Sequence, residues 1–124
     1  MARKRILLIE DEFDMVYALV IQLEAVGYEV LVARDGQAGL DVARKEKPDL
    51  IILDLMLPKV DGFKVCRMLK FDKKYMKIPI IIFTAKIQEQ DKKLGKEVCA
   101  DAYITKPFDA QVLLDKISEL LDQD

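Results

Sequence analysis

Short, unbroken apolar runs alternate along this chain with longer stretches of helical spacing. Ile6-Leu7-Leu8-Ile9, Leu50-Ile51-Ile52-Leu53 and Ile80-Ile81-Ile82-Phe83 contain no polar interruption and are rich in β-branched residues. A strand covered on one face alternates apolar with polar residues, whereas a strand covered on both reads as a continuous run, so these three read as strands of a parallel sheet. Val30-Leu31-Val32-Ala33 and Ala102-Tyr103-Ile104 are weaker candidates of the same kind. Between them the spacing predicts helices over about residues 14–26, 37–46, 62–73, 88–98 and 109–122. Asp14 is placed to cap the first and Gly27 to stop it, and Pro48 ends the second. In the last, Leu113, Leu114, Ile117, Leu120 and Leu121 recur at three- and four-residue steps as a core-facing stripe behind a capping Asp109.

The order is strand then helix, five times over. Strands alternating with helices imply a parallel sheet, and right-handed crossovers then put helices on both faces, an α/β doubly wound architecture. The length of 124 residues suits one domain, read here as residues 1–124 with no linker or repeat. Ligands of such open sheets sit outside the carboxyl ends of the strands, so the residues just after each apolar run are the ones to read for chemistry.

Composition removes several classes. Twenty basic against 22 acidic side chains leave a net charge of −2, with no global attraction to nucleic acid or an anionic membrane. The chain has no His, which excludes Ser-His-Asp and Cys-His catalysis and histidine-ligated zinc. Cys66 and Cys99 stand far apart in no CxxC arrangement and read as structural. No run approaches the ~20 apolar residues of a membrane span, and nothing resembles a signal peptide, so a cytoplasmic location is expected.

The strand ends carry the candidate chemistry. Glu10-Asp11 directly follows the first run, Asp54 lies in the third, Thr84-Ala85 ends the fourth and Lys106-Pro107 follows the fifth. A carboxylate flanked as heavily by apolar residues as Asp54 is costly unless paired. Three carboxylates at one edge cannot all ionise without a cation, and an all-oxygen set suits Mg²⁺, or Mn²⁺ in its place, better than zinc or copper. Lys106 can hold a phosphoryl oxygen or, in its absence, a carboxylate, and Thr84 can donate one hydrogen bond to the same group. An Asp can serve as a covalent nucleophile toward a phosphoryl group.

Taken together, Glu10-Asp11, Asp54, Thr84-Ala85 and Lys106-Pro107 resemble the receiver domain of two-component response regulators, over the chain from Arg5 to about Leu121. That resemblance implies a three-layer, flavodoxin-like (βα)5 fold with strand order 2-1-3-4-5. It implies Asp54 as phosphoacceptor for a sensor histidine kinase or phosphotransfer protein, and Mg²⁺ held by Asp11, by Glu10 directly or through water, by Asp54, and by the Met56 backbone carbonyl. Lys106 would contact the phosphoryl group through a cis Lys106-Pro107 turn. Thr84 and Tyr103 would move together to switch the face of the fourth helix, fifth strand and fifth helix. The chain would act as a switch that assists its own phosphorylation and dephosphorylation, not as a turnover enzyme.

The first helix is apolar around its circumference over Met15-Val16-Tyr17-Ala18-Leu19-Val20-Ile21. Val16, Leu19, Val20 and Leu23 are expected to face the core, leaving Met15, Ala18 and Gln22 as the docking surface the family suggests for the kinase. Val112 and Lys116 stand where many DNA-binding members carry a Glu–Arg pair of a dimer interface, so a monomer or a weak phosphorylation-dependent dimer is expected. A haloacid-dehalogenase-type phosphatase would need a second Asp where Met56 stands, and a nucleotide-binding module a Gly-rich loop where Glu10-Asp11-Glu12 stands. The alternative reading is a receiver-like interaction domain that works without phosphate, either stand-alone or part of a longer protein.

Overall fold

A computed structural model describes residues 3–55, 57, 60–84, 100–106 and 109–122. The elements are β1 (Arg5–Ile9), α1 (Phe13–Ala25), β2 (Glu29–Ala33), α2 (Gly36–Glu46), β3 (Leu50–Asp54), α3 (Gly62–Lys70), β4 (Ile80–Thr84), β5 (Ala102–Thr105) and a C-terminal helix (Ala110–Leu121). The helix expected over 88–98 lies outside the described residues.

The five strands form one parallel sheet in the order β2-β1-β3-β4-β5. The unbroken apolar runs are explained by cover on both sides. Leu7, Ile9, Ile51, Leu53, Ile80 and Ile82 point into one core cluster, shared with Leu40 and Ala43 of α2 and Val65, Cys66 and Leu69 of α3. Their neighbours Ile6, Leu8, Leu50, Ile52, Ile81 and Phe83 point into a second, with Leu19 and Leu23 of α1 and Leu113 and Ile117 of the C-terminal helix. Each such side chain taken from water contributes about 1.5–3 kcal/mol, so the two central layers dominate the favourable side of folding.

Helix ends depart from the sequence reading in two places. Asp14 does not cap α1: the helix begins at Phe13, Glu12 takes the cap position without a side-chain bond, and Asp14 lies in the first turn. Gly27, at φ 101°, does stop that helix. The second helix ends at Glu46, as expected, with a left-handed Lys47 at φ 47° as its cap just ahead of Pro48. The third stops at Lys70 instead of residue 73, because the Asp72 carboxylate accepts from the Lys74 backbone N–H (2.9 Å) and draws the chain into a turn. Asp109 caps the C-terminal helix as expected, accepting from the Gln111 N–H at 2.8 Å.

Parallel register aligns the carboxyl ends of the strands. Ile9 pairs with Ala33 and Leu53, Asp54 with Phe83, and Thr84 with Thr105. Residues 10, 54, 84 and 106 are therefore delivered to one edge by the register alone.

Candidate functional site

Glu10 is the first residue past β1, yet it is still held by the sheet, because its N–H donates to the Ala33 carbonyl at 3.0 Å. That bond aims its side chain inward, and it is wholly buried. Asp54 closes β3 and is 5% exposed. Asp11 turns out to solvent while its backbone N–H donates to Glu10 Oε2 at 2.9 Å. Two ionisable carboxyls inside the sheet edge need a counter-charge, and Lys106 supplies it. Its Nζ lies 2.7 Å from Glu10 Oε1 and 3.3 Å from Asp54 Oδ2, with only 12% of the side chain exposed.

Among the described residues, Lys106 is the ammonium that meets this group. Burial, then the hydrogen bond and negative charge of Asp54, push the Glu10 carboxyl from 4.5 up to about 7, with Lys106 opposing. On Lys106 burial works against the charged form, but the bonds and charges of Glu10 and Asp54 outweigh it and raise its pKa above the ordinary lysine value. Among the described residues, three carboxyls thus meet one ammonium at this pocket. Carboxylate oxygens of Glu10, Asp11 and Asp54 lie within 4.8 Å of one another. Opposite ligands of one Mg²⁺ ion stand about 4 Å apart, so small side-chain adjustments bring all three onto a single hard cation. The donor set is oxygen only; the described cysteine, Cys66, is buried in the core.

Of the other residues singled out in the sequence, Thr84 is placed by its backbone as the last residue of β4. Its side chain, Met56 and the Lys106-Pro107 turn lie outside the described residues. Tyr103 is half-buried on β5 against the α2/α3-side core. On α1, Leu19 and Leu23 are buried and Val16 and Val20 half-buried, as expected. Ala18 and Gln22 are exposed, whereas Met15 is half-buried against the core.

Three features escaped the sequence reading. The Phe83 ring lies under Lys106 Nζ, 4.6 Å from centroid to nitrogen. Arg34, just past β2, donates to the Asp11 carbonyl at 2.7 Å and stacks over Phe13, tying down the loop that carries Glu10 and Asp11. Phe13, Tyr17 and Ile21 line the solvent side of α1 at four-residue steps. The basic residue directly after the β2 run and that four-residue spacing were the available signals for the last two.

A model of the response regulator receiver domain matches residues 6–118. The chain is 46% identical over 118 residues to the alkaline phosphatase synthesis transcriptional regulatory protein PhoP of Bacillus subtilis, covering 95% of this chain and 48% of that protein. It is 42% identical over 117 residues to protein PilH of Pseudomonas aeruginosa, covering 94% of this chain and 97% of that protein. It therefore spans about half the length of the first and nearly all of the second. A putative response regulator from Chloroflexus aurantiacus superposes with a TM-score of 0.92 at 30% identity, over 98% of this chain and 100% of that one. The receiver domain of a Pseudomonas aeruginosa sensor histidine kinase, solved with a magnesium ion coordinated in its active-site cleft, gives 0.90 at 26% identity over 98% and 100%. Receiver domains are phosphoacceptor switches that pair with histidine kinases. The sequence match runs through both flanking layers of helices and every strand that feeds the acidic pocket, and on that ground the protein belongs to the response regulator receiver domain family.

Proposed function

We propose that this chain, read as one receiver unit over residues 1–124, accepts a phosphoryl group on Asp54 from the phosphohistidine of a sensor kinase or phosphotransfer protein. The observation that carries this reading is the meeting of three carboxyls and one ammonium among the described residues of the sheet edge: Glu10 and Asp54 share Lys106, with Asp11 alongside. In the transfer, an Asp54 carboxylate oxygen bonds to phosphorus as the bond from phosphorus to the donor imidazole nitrogen breaks. That nitrogen leaves with the electron pair. Glu10, Asp11 and Asp54 are the side chains that hold Mg²⁺, or Mn²⁺ in its place, together with the Met56 carbonyl that the family resemblance implies. When bound, the ion neutralises charge on the transferring phosphoryl oxygens. Lys106 stabilises the same charge from the β5 side, and Thr84 donates a hydrogen bond to it.

Phosphorylation then shifts a two-state equilibrium through the contacts made by Thr84 and Lys106, and Tyr103 transmits the shift to the β5 face. On α1, Ala18 and Gln22, with the edge of Met15, form the kinase docking surface, widened by Tyr17 and Ile21. The chain works in the cytoplasm as a switch, not as an enzyme on outside substrates; among the described residues no helix is long and apolar enough to cross a membrane.

Intact mass after incubation with acetyl phosphate tests the reading. A single phosphoryl adduct that requires Mg²⁺ and vanishes in Asp54→Asn is the expected result. A folded protein that forms no adduct with Mg²⁺ and either acetyl phosphate or a phosphorylated kinase donor overturns it in favour of a phosphate-independent interaction domain.

A further inference from the structure

The Lys106 ammonium has three N–H donors, and the described residues give it three seats. Two are the carboxylates of Glu10 and Asp54, at 2.7 and 3.3 Å. The third is the face of Phe83, 4.6 Å from nitrogen to ring centroid. Phe83 is fully buried, pairs in register with Asp54, and belongs to the core between the sheet and the helices α1 and C-terminal. The ring is therefore held by the core, while the ammonium reaches it from the loop after β5.

Ile80, Ile81 and Ile82, all fully buried, fill the strand up to Phe83 with aliphatic side chains. A ring adds what an aliphatic side chain lacks, a negative face that attracts a cation, and more strongly when both partners are out of water. The two carboxylates are also the groups a divalent cation takes. Of the three seats, the ring alone is one for which that cation does not compete.

We propose that Phe83 is a positioning residue: its ring face holds the Lys106 ammonium beside Asp54 when the carboxylates are engaged elsewhere. The role in transfer rests on the reading of Asp54 as phosphoacceptor; the seat itself does not. A substituent at position 83 that weakens the ring's negative face should loosen the ammonium without altering the shape of the core.

Replacing Phe83 with mono-, di- and trifluorinated phenylalanine drains the ring face stepwise at nearly constant shape. Once Mg²⁺ engages the carboxylates, exchange of the ¹⁵N-labelled Lys106 ammonium protons with water should quicken in that order, by roughly tenfold at the trifluoro ring, and by less in the metal-free protein, where Glu10 and Asp54 still hold the nitrogen. With saturating Mg²⁺, the initial rate of adduct formation from acetyl phosphate should fall in the same order and by a similar factor, at unchanged melting temperature. Phe83→Leu should abolish the upfield ring-current shift of those protons. Equal exchange and equal rates across the fluorinated series overturn the proposal, even where Phe83→Leu is impaired, because the ring then acts only as core volume. Ordered exchange with no adduct in the unsubstituted protein overturns the acceptor reading and the ring's role in transfer, while the seat stands.

Discussion

Among the described residues two lysines with largely buried side chains sit at opposite edges of the sheet and do different things. Lys70, the last residue of α3, has 7% of its side chain exposed and binds Asp101 Oδ2 at 2.7 Å. Its remaining donors go to the Ile78 and Met76 carbonyls at 2.8 and 3.3 Å. Asp101 in turn accepts the Ile80 backbone N–H at 2.7 Å, so one cation and one carboxylate tie the end of α3 to the starts of β4 and β5. Lys106 at the carboxyl edge meets two buried carboxyls with a third beside them, and its last neighbour is a ring. A balanced pair with every donor on an oxygen is a clasp. A group with more carboxyls than ammonium among the described residues is poised to take a cation, and burial together with the neighbouring Asp54 raises Glu10 to about 7.

Exchanging each lysine for methionine breaks that comparison most directly. Lys106→Met should slow adduct formation from acetyl phosphate by about a hundredfold, the usual cost of losing one charge-stabilising donor. Lys70→Met should leave the rate per folded molecule unchanged and lower stability by about 1–2 kcal/mol, less than for a fully buried pair because Asp101 is a third exposed. Denaturant melts and intact-mass time courses on both variants decide the matter. A Lys106→Met protein that transfers at the parental rate would show that the carboxyl edge is a clasp too.

Glycines at the two edges give a smaller contrast. A Cβ on Gly62 would stand 2.5 Å from the Asp54 carbonyl oxygen and 2.7 Å from Leu55 Cα, both backbone. In a helix Gly→Ala ordinarily gains about 1 kcal/mol, but overpacking against rigid backbone costs about 1–3. Gly62→Ala should therefore lose about 1 kcal/mol and slow phosphorylation, since the shift falls on β3, which carries the proposed acceptor Asp54. Gly27→Ala at the other edge meets nothing within 4 Å and suffers only from its φ of 101°. It should cost a similar ~1 kcal/mol through backbone strain and spare the rate. Equal rate losses in both would remove Gly62 from the account of the site.

The sheet was legible because parallel strands buried on both faces have a signature that polar interruptions would have erased. The runs at 6–9, 50–53 and 80–83 fall within β1, β3 and β4, each longer by one residue. The end of α3 was not legible: Phe71-Asp72-Lys73 suits a helix, and only the turn made by Asp72 and the burial of Tyr75 show that the chain leaves it. At the site, Glu10, Asp11, Asp54 and Lys106 stood out because charge directly after an apolar run is unusual. Phe83 did not, since a phenylalanine among isoleucines reads as core. Its second role depends on which loop residue arrives above the ring, information held in the β4–β5 register and not in local pattern.

The smallest expected effect is the most selective. Folded Glu10 keeps its proton up to about pH 7, whereas in the unfolded chain it is lost from about 4.5. The folded state binds the extra proton between those values, so in the metal-free protein this group favours folding at low pH and that contribution is lost as pH rises through 7. A cation needs the carboxylate. Below 7 it must expel the proton, and its affinity falls by up to about tenfold per pH unit; above 7 it need not. At fixed Mg²⁺ the rise in melting temperature should thus be larger at pH 8 than at pH 6, by about 4 °C for a tenfold change in affinity in a domain of this size. Glu10→Gln should flatten the difference. Lys70→Met should lower the melting temperature equally at both pH values, because the clasp it breaks involves neither Glu10 nor the cation. A Mg²⁺ effect equal at pH 6 and 8 in the parental protein would mean that Glu10 does not take part in holding the ion, and the carboxyl edge would then rely on Asp11 and Asp54 alone.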